Sequence, residues 1–281
     1  MPTRPPDSPE AILVHLRGSY ASPTPTPTAI HLPSRYPQAG RPQEGLSSIP
    51  KASPSVADVR TILKNVSLFS HLADDTLAGL ATQVRRHTFR KDTVIFHKDQ
   101  AGDALYVVES GRVRIFLPTS AGEELTVDIA GAGDVFGELA LLDGRPRSAS
   151  AQAQEDTVTL TLSRDEFLKY LSRTPQLGAA LVELLSQRLR HVTDYAESLA
   201  FLDVYARLAR TLLEMADRYG LQGDGIEIDF ALTQTALATM VGATRERVNR
   251  ALAALRTQGL VELRGKKIVL LDPAKLRERI A

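Results

Sequence analysis

The sequence predicts an α+β chain: an antiparallel β-sandwich or roll in the middle, a long helix after it, and a C-terminal helix-turn-helix with a wing. Three observations carry that prediction. Apolar residues recur at helical spacing from Val56, change to short β-branched or alternating runs between Phe89 and Leu162, and return to helical spacing after Pro175. Glycines fall at or near the corners between those runs, at Gly102, Gly111, Gly122, Gly131, Gly133, Gly137 and Gly144. The charge is also uneven. The whole chain carries only +1, but from Ala231 to Ala281 ten Lys or Arg stand against four acids, so the C-terminal module is basic.

Taken in order, residues 1–55 hold twelve of the sixteen prolines, mixed with Ser and Thr as in Pro23 to Thr28. With no apolar periodicity they are expected to form a disordered tail. Val59, Ile62, Leu63, Val66 and Leu68 fit one helical face; Leu77, Leu80, Ala81 and Val84 fit another after Asp74 and Asp75. Strands are expected at Thr93 to His97, Leu105 to Val108, Val113 to Leu117, Leu125 to Ile129 and Val158 to Leu162. Ser163 followed by Glu166 has capping-box spacing and should open a short helix. This first domain spans 56–174.

Residues 175–202 read as one long helix. Leu181, Leu185, Arg188, Val192, Tyr195 and Leu199 follow one another at steps of 4, 3, 4, 3 and 4, the spacing of a coiled-coil seam. A homodimer through Leu181, Leu185, Val192, Tyr195 and Leu199 is the expected use of this helix. Residues 203–281 form the last domain.

Composition excludes several function classes. The chain has no cysteine, which removes disulfides, thiolate zinc sites, cysteine nucleophiles and cysteine-ligated clusters. No apolar run approaches the roughly 18 residues that span a bilayer, and no leader pattern opens the chain. A cytoplasmic protein with no membrane partner is the expectation.

Two constellations carry chemistry. In Gly133 to Ala149, a carboxylate at Glu138 and a guanidinium at Arg147 end one apolar loop. Arg147 offers a planar fork of donors for a phosphate diester, Ser148 adds a hydroxyl, and Glu138 can accept from a sugar hydroxyl. Leu139 to Leu142 fit a short helical turn whose amides can face an anion. A surface Glu–Arg pair on a turn is the competing interpretation. Further on, Leu237, Met240 and Val241 before Gly242, and Val248, Leu252 and Leu255 after it, describe two helices around a tight turn. The second helix exposes Thr244, Arg245, Glu246, Asn249 and Arg250, a set suited to guanine and cytosine edges. Arg264, Lys266 and Lys267 sit in a basic turn between two short strands, a wing beside DNA phosphates. Against this stands a solvated helix with an i,i+4 Glu246–Arg250 pair.

The string Gly137, Glu138, Leu139, Ala140, Leu141, Arg147 and Ala149 resembles the phosphate-binding cassette of cyclic-nucleotide-binding domains. Ala231 to Leu271 resembles the winged helix-turn-helix of the Crp/Fnr regulators, with Arg245, Glu246 and Arg250 at the family's base-reading positions. Ser198 to Leu213 is similar to that family's hinge, so the resemblance covers about Asn65 to Leu271. It implies a cyclic-nucleotide-binding β-roll, a dimerisation helix and a DNA-binding domain. Cyclic AMP is the implied effector, with cyclic GMP equally compatible. Glu138 would take the ribose 2′-hydroxyl, Arg147 and Ser148 the cyclic phosphate, the amides of Gly137 to Leu139 would help, and Thr193 would touch the base. The implied partners are double-stranded DNA at an inverted repeat with half-sites like TGTGA, a second copy of the chain, and RNA polymerase. Two other readings compete. One is a family sensor that binds no nucleotide, for instance a haem sensor through His71, His87 or His97. The other is an enzyme acting on cyclic nucleotides, which lacks a paired acid and base or a metal set in the cassette.

Overall fold

The computed structural model describes residues 55–229, 232–265 and 267–280. The expected tail lies outside them up to Pro54, as does the wing residue Lys266. The chain enters α1 (Val56–Lys64) through a capping box: the Ser55 hydroxyl accepts from the Asp58 amide while the Asp58 carboxylate accepts from the Ser55 amide. Helix α2 (Asp74–Gln83) follows. Two four-stranded antiparallel sheets then form the roll. One runs β1 (Arg85–Phe89), β8 (Thr157–Ser163), β3 (Ala104–Ser110), β6 (Val135–Phe136). The other runs β2 (Val94–Phe96), β7 (Ser150–Ala153), β4 (Val113–Pro118), β5 (Glu124–Ala130).

All five expected strands are present. Three more escaped the apolar pattern for physical reasons: β1 is the charged edge strand RRHTF, β6 is two residues long, and β7 is SAQA, whose buried Ala151 and Ala153 are too small to mark a core strand. The Ser163 hydroxyl accepts from the Glu166 amide, as its spacing predicts, and opens α4 (Arg164–Arg173). Between β6 and β7 lies α3 (Glu138–Asp143). One core joins α1, α2, α4 and the start of the long helix to the first sheet through Leu63, Leu77, Leu105, Leu160, Phe167 and Leu177. A smaller one, with Phe96, Val108, Val113, Phe136 and Ala151, joins the two sheets.

The long helix, α5 (Pro175–Phe201), is 27 residues, about 40 Å at 1.5 Å per residue. Its expected seam needs correction. Leu181 is only 6% exposed and is spent on the roll's own core, with Leu185 half-buried beside it. The Arg188 side chain reaches Glu138, and the Tyr195 hydroxyl donates to Met240 O at 3.1 Å. Besides Phe201 at its C-terminal end, the large apolar side chains left outward are Val182, Leu189 (69% exposed), Val192 and Leu199. Together with Leu185 and Ala196 they lie at steps of 3, 4, 3, 4 and 3. A heptad-spaced stripe that keeps Leu185, Val192 and Leu199 of the expected set is thus left outward, because the same helix must also bury Leu177, Ala180 and Leu181 against its own domain.

Past the Asp203 N-cap, α6 (Val204–Tyr219) leads to β9 (Gly220–Gly223), β10 (Gly225–Ile228), α7 (Gln234–Val241), α8 (Arg245–Thr257), β11 (Val261–Arg264), β12 (Lys267–Leu270) and α9 (Pro273–Glu278). The wing hairpin β11–β12 extends into a four-stranded sheet through β10 and β9, which the glycine-rich sequence Gly220 to Gly225 concealed. The C-terminal core takes in Leu212, Leu237, Val248, Leu252, Leu255 and Ile268, and also Ile129 from β5.

Candidate functional site

The cassette is built on Gly137, whose φ of 79° lies in the left-handed region; a Cβ there would stand 2.6 Å from Arg147 Nη1. This glycine turns the chain from β6 into α3 and places Glu138 inside the roll with no exposed surface. Glu138 Oε1 accepts from Arg188 Nη1, and Arg188 Nη2 donates to Val135 O. Glu138 Oε2 is buried without a partner.

Arg147 is 3% exposed. Its backbone is pinned to the β2–β3 loop by two bonds, from its own amide to Gln100 O at 2.8 Å and from the Asp99 amide to its carbonyl at 2.9 Å. Its guanidinium donates from Nη1 to Gly137 O at 2.6 Å and from Nη2 to Ala104 O at 2.7 Å, while Nε has no partner. Burial pulls this guanidinium below its ordinary value, against the opposing effects of Tyr106, Asp103 and Glu138. Of the other expected contacts, Ala140 is buried, whereas Leu139 and Ser148 are exposed. Thr193 is exposed on α5, its hydroxyl donating to Leu189 O at 2.8 Å. The structure thus brings Gly137, Glu138 and Arg147 together and leaves Ser148 and Thr193 outward.

Sequence reasoning missed three contributors. Arg188 stood out as a cation in an apolar stripe, but pointed to a two-chain seam, not to Glu138. Phe96 and Tyr106, whose rings lie against Arg147, gave no signal beyond ordinary strand residues.

The second constellation has the predicted local form. Gly242 takes φ 65°, and a Cβ there would meet Leu199 Cδ2 at 3.1 Å and Leu125 Cδ1 at 3.3 Å, so the turn is packed against α5 and the roll. Thr244 caps α8, its hydroxyl accepting from the Arg247 amide. Val248, Ala251, Leu252 and Leu255 are buried, while Thr244, Arg245, Glu246 and Arg250 are exposed. Asn249 is half-buried and donates to Gln234 Oε1 at 3.0 Å. The Glu246 carboxyl is held below its ordinary value, first by its own backbone amide and then by the Thr244 hydroxyl. It is ionised at neutral pH and exposed. The wing differs from expectation: Arg264 pairs with Glu262 at 2.9 Å, and Lys267 with Glu227 at 2.8 Å and Asp229 at 2.9 Å. The described wing cations are therefore largely neutralised within the chain.

Residues 86–174 match the cyclic nucleotide-binding domain and residues 206–279 the Crp-like helix-turn-helix domain. A CRP-like cAMP-activated global transcriptional regulator of Mycobacterium tuberculosis is 33% identical over 219 residues, 78% of this chain and 98% of that protein. The chain belongs to the Crp/Fnr family. Solved Crp/Fnr-like structures agree. FixK2 of Bradyrhizobium japonicum aligns with a TM-score of 0.64 and 28% identity, covering 70% of this chain and 98% of that one. The c-di-GMP responsive global regulator CLP of Xanthomonas campestris aligns with a TM-score of 0.63 and 27% identity, covering 70% and 99%. This Crp/Fnr chain therefore joins a cyclic-nucleotide-binding fold to a helix-turn-helix of transcription regulators. Among its described residues no helix is long and apolar enough to cross a membrane.

Proposed function

We propose that the protein is a cytoplasmic, homodimeric, cyclic-AMP-responsive transcription regulator that reads an inverted repeat with half-sites like TGTGA and works with RNA polymerase. One observation carries the ligand assignment. Inside the roll a fully buried carboxylate and a buried guanidinium each keep one polar atom unpaired, Glu138 Oε2 and Arg147 Nε. Unpaired buried polar atoms cost roughly 1 to 3 kcal/mol each. A ligand carrying both a hydroxyl donor and an anionic acceptor satisfies them together, and a ribose cyclic phosphate carries both. Glu138 would accept from the 2′-hydroxyl, Arg147 would donate to the phosphate with Ser148 at its rim, and the amides of Gly137 to Leu139 would face the same anion.

Arg188 holds Glu138 from α5, so whatever engages Glu138 is felt on the long helix. The exposed Val182, Leu189, Val192, Ala196 and Leu199, with the half-buried Leu185, would pair with their copies in a partner. Two recognition helices would then present Arg245, Glu246 and Arg250 to major grooves about 34 Å apart. The ligand acts through unequal affinity for two settings of those helices. Calorimetric titration of the full chain with cyclic AMP, cyclic GMP and cyclic di-GMP tests the reading. Binding of cyclic AMP together with ligand-dependent enrichment of a TGTGA-like repeat from random DNA is the expected result. Heat with cyclic di-GMP alone would reassign the effector, and no enrichment under any nucleotide would undo the regulator reading.

A further inference from the structure

The cassette arginine sits in a slot that none of its charge partners explains. The Phe96 ring centroid lies 4.3 Å from Arg147 Cζ and that of Tyr106 lies 5.6 Å away. Those two rings and Phe136 form one triangular cluster: Tyr106 and Phe136 are 5.0 Å apart at 15°, Phe96 and Phe136 5.9 Å at 30°, and Phe96 and Tyr106 5.6 Å at 40°. Phe96 comes from β2, Tyr106 from β3 and Phe136 from β6, so the cluster bridges the two sheets and is fixed by the core on both sides. Glycines form the walls, since a Cβ at Gly102 would stand 2.7 Å from Nε and one at Gly137 2.6 Å from Nη1. The carbonyls of Gly137 and Ala104 hold the two Nη atoms. Of five N–H donors, two are used by the protein and three remain.

We infer that Phe96 and Tyr106, backed by Phe136, are the positioning residues of the anion site: their ring faces hold the Arg147 guanidinium by cation–π contact, charged and oriented, before any phosphate arrives. This rests on the nucleotide reading above and adds the device that makes its arginine ready. The physical need is clear. A guanidinium taken from water loses hydration, and two carbonyls leave its flat faces unserved. Aromatic quadrupoles stabilise the buried cation without occupying the N–H edges that a phosphate must use. A rigid guanidinium also forfeits less rotamer freedom when the ligand binds.

The test uses the full-length protein and three variants, Phe96→Leu, Tyr106→Leu and Tyr106→Phe. The two leucine changes keep an apolar side chain of smaller volume and remove a ring face; Tyr106→Phe keeps the face and removes only the hydroxyl. Two quantities are read: cyclic AMP affinity by calorimetry, and the ligand-free Nε–Hε NMR signal of Arg147, identified by its loss in Arg147→Lys. The wild-type signal should be displaced by ring currents, keep that displacement in Tyr106→Phe, and lose much of it in Phe96→Leu. Affinity should fall about tenfold in each leucine variant, the scale of one desolvated cation–π contact, and change less than about twofold in Tyr106→Phe. An undisplaced wild-type signal overturns the platform, as does a Tyr106→Phe protein that binds as weakly as Tyr106→Leu. Leucine variants with wild-type affinity also overturn it. A displaced signal in a wild type that binds no cyclic nucleotide overturns instead the nucleotide reading and the use assigned to the platform.

Discussion

Glu138 shows how far one residue's role depends on its partners. Its Oε1 is held by Arg188, a side chain about one-third exposed, while the carboxylate itself has no exposed surface. Removing one partner of such a pair leaves a buried charge uncompensated, so Arg188→Leu is expected to destabilise the roll by on the order of 3 kcal/mol, less if water reaches the carboxylate. Adding Glu138→Gln should recover most of that loss. Thermal unfolding of wild type, single and double variants decides it, and a double variant no more stable than Arg188→Leu would show that the pair is not what holds the helix to the cassette. Arg147→Leu behaves differently, because a leucine can rest on the same rings. It should melt near wild type yet lose two or more decades of cyclic AMP affinity, since hydrogen bonds to charged groups contribute roughly 1.5 to 3 kcal/mol each. Near-normal affinity in a calorimetric titration would remove Arg147 from the site. Glu138 and Arg147 were both legible in the sequence because their chemistry and spacing are local. Arg188 and Phe96 were not, because their roles arise from contacts 50 or so residues apart that no periodicity encodes.

At the scale of elements, α5 carries two apolar demands on one surface, so Leu181 and Tyr195 of its expected seam are engaged within the chain. The heptad spacing was visible, but which of two adjacent stripes faces the chain's own sheet depends on where the roll sits against the helix. Leu181 answers to the roll and Leu189 to solvent. Substitution separates them. Leu189→Asp should leave the fold and melting temperature nearly intact and yield monomers in sedimentation, because it places charge only where a partner would pack. Leu181→Asp should lower the melting temperature sharply whatever the oligomeric state. If Leu189→Asp remains dimeric, the exposed stripe is not the seam. The same element logic explains the strands. Runs such as Val113 to Leu117 announced themselves by apolar alternation, whereas the edge strand β1 and the small-residue strand β7 exist only because neighbours pair with them.

Across the whole molecule the long helix and the recognition module both rest on the open edge of β5. His191 Nε2 lies 3.1 Å from Val127 O, the Arg218 Nη2 and Tyr219 hydroxyl groups donate to Ile129 O at 2.7 and 3.0 Å, and the hydroxyls of Thr126 and Thr239 are 2.9 Å apart. Beside these contacts is a cavity of about 340 Å³ lined by β5, α5, α6 and α7, with Glu214 on its wall. Glu214 is itself exposed and lies 3.9 Å from Arg210; partial desolvation at the cavity wall raises its carboxyl above the ordinary 4.5, with His191 and Arg210 opposing. A raised acid binds its proton more tightly when folded, so its contribution to stability is present below pH 4.5 and is lost as pH rises through the raised value. Glu214→Gln should flatten that slope; melting curves with identical pH dependence would exclude Glu214 as its source. The charge distribution leads to a further expectation for DNA. The chain's net charge is only +1, and Lys267 is already paired with Glu227 and Asp229. A cation neutralised within the chain releases few phosphate counterions, so Lys267→Ala should change the salt dependence of DNA binding by well under the roughly 0.9 per contact of a free lysine. Arg245 has no such partner among the described residues and stands exposed at the start of α8. Arg245→Ala should cost about 1 to 3 kcal/mol on the preferred site and relax the preference at one base pair while leaving other positions unchanged. Titrations on matched and singly substituted sites at several salt concentrations separate the two effects. A uniform loss across all sites for Arg245→Ala would make that arginine a phosphate contact and move base reading to Glu246 and Arg250.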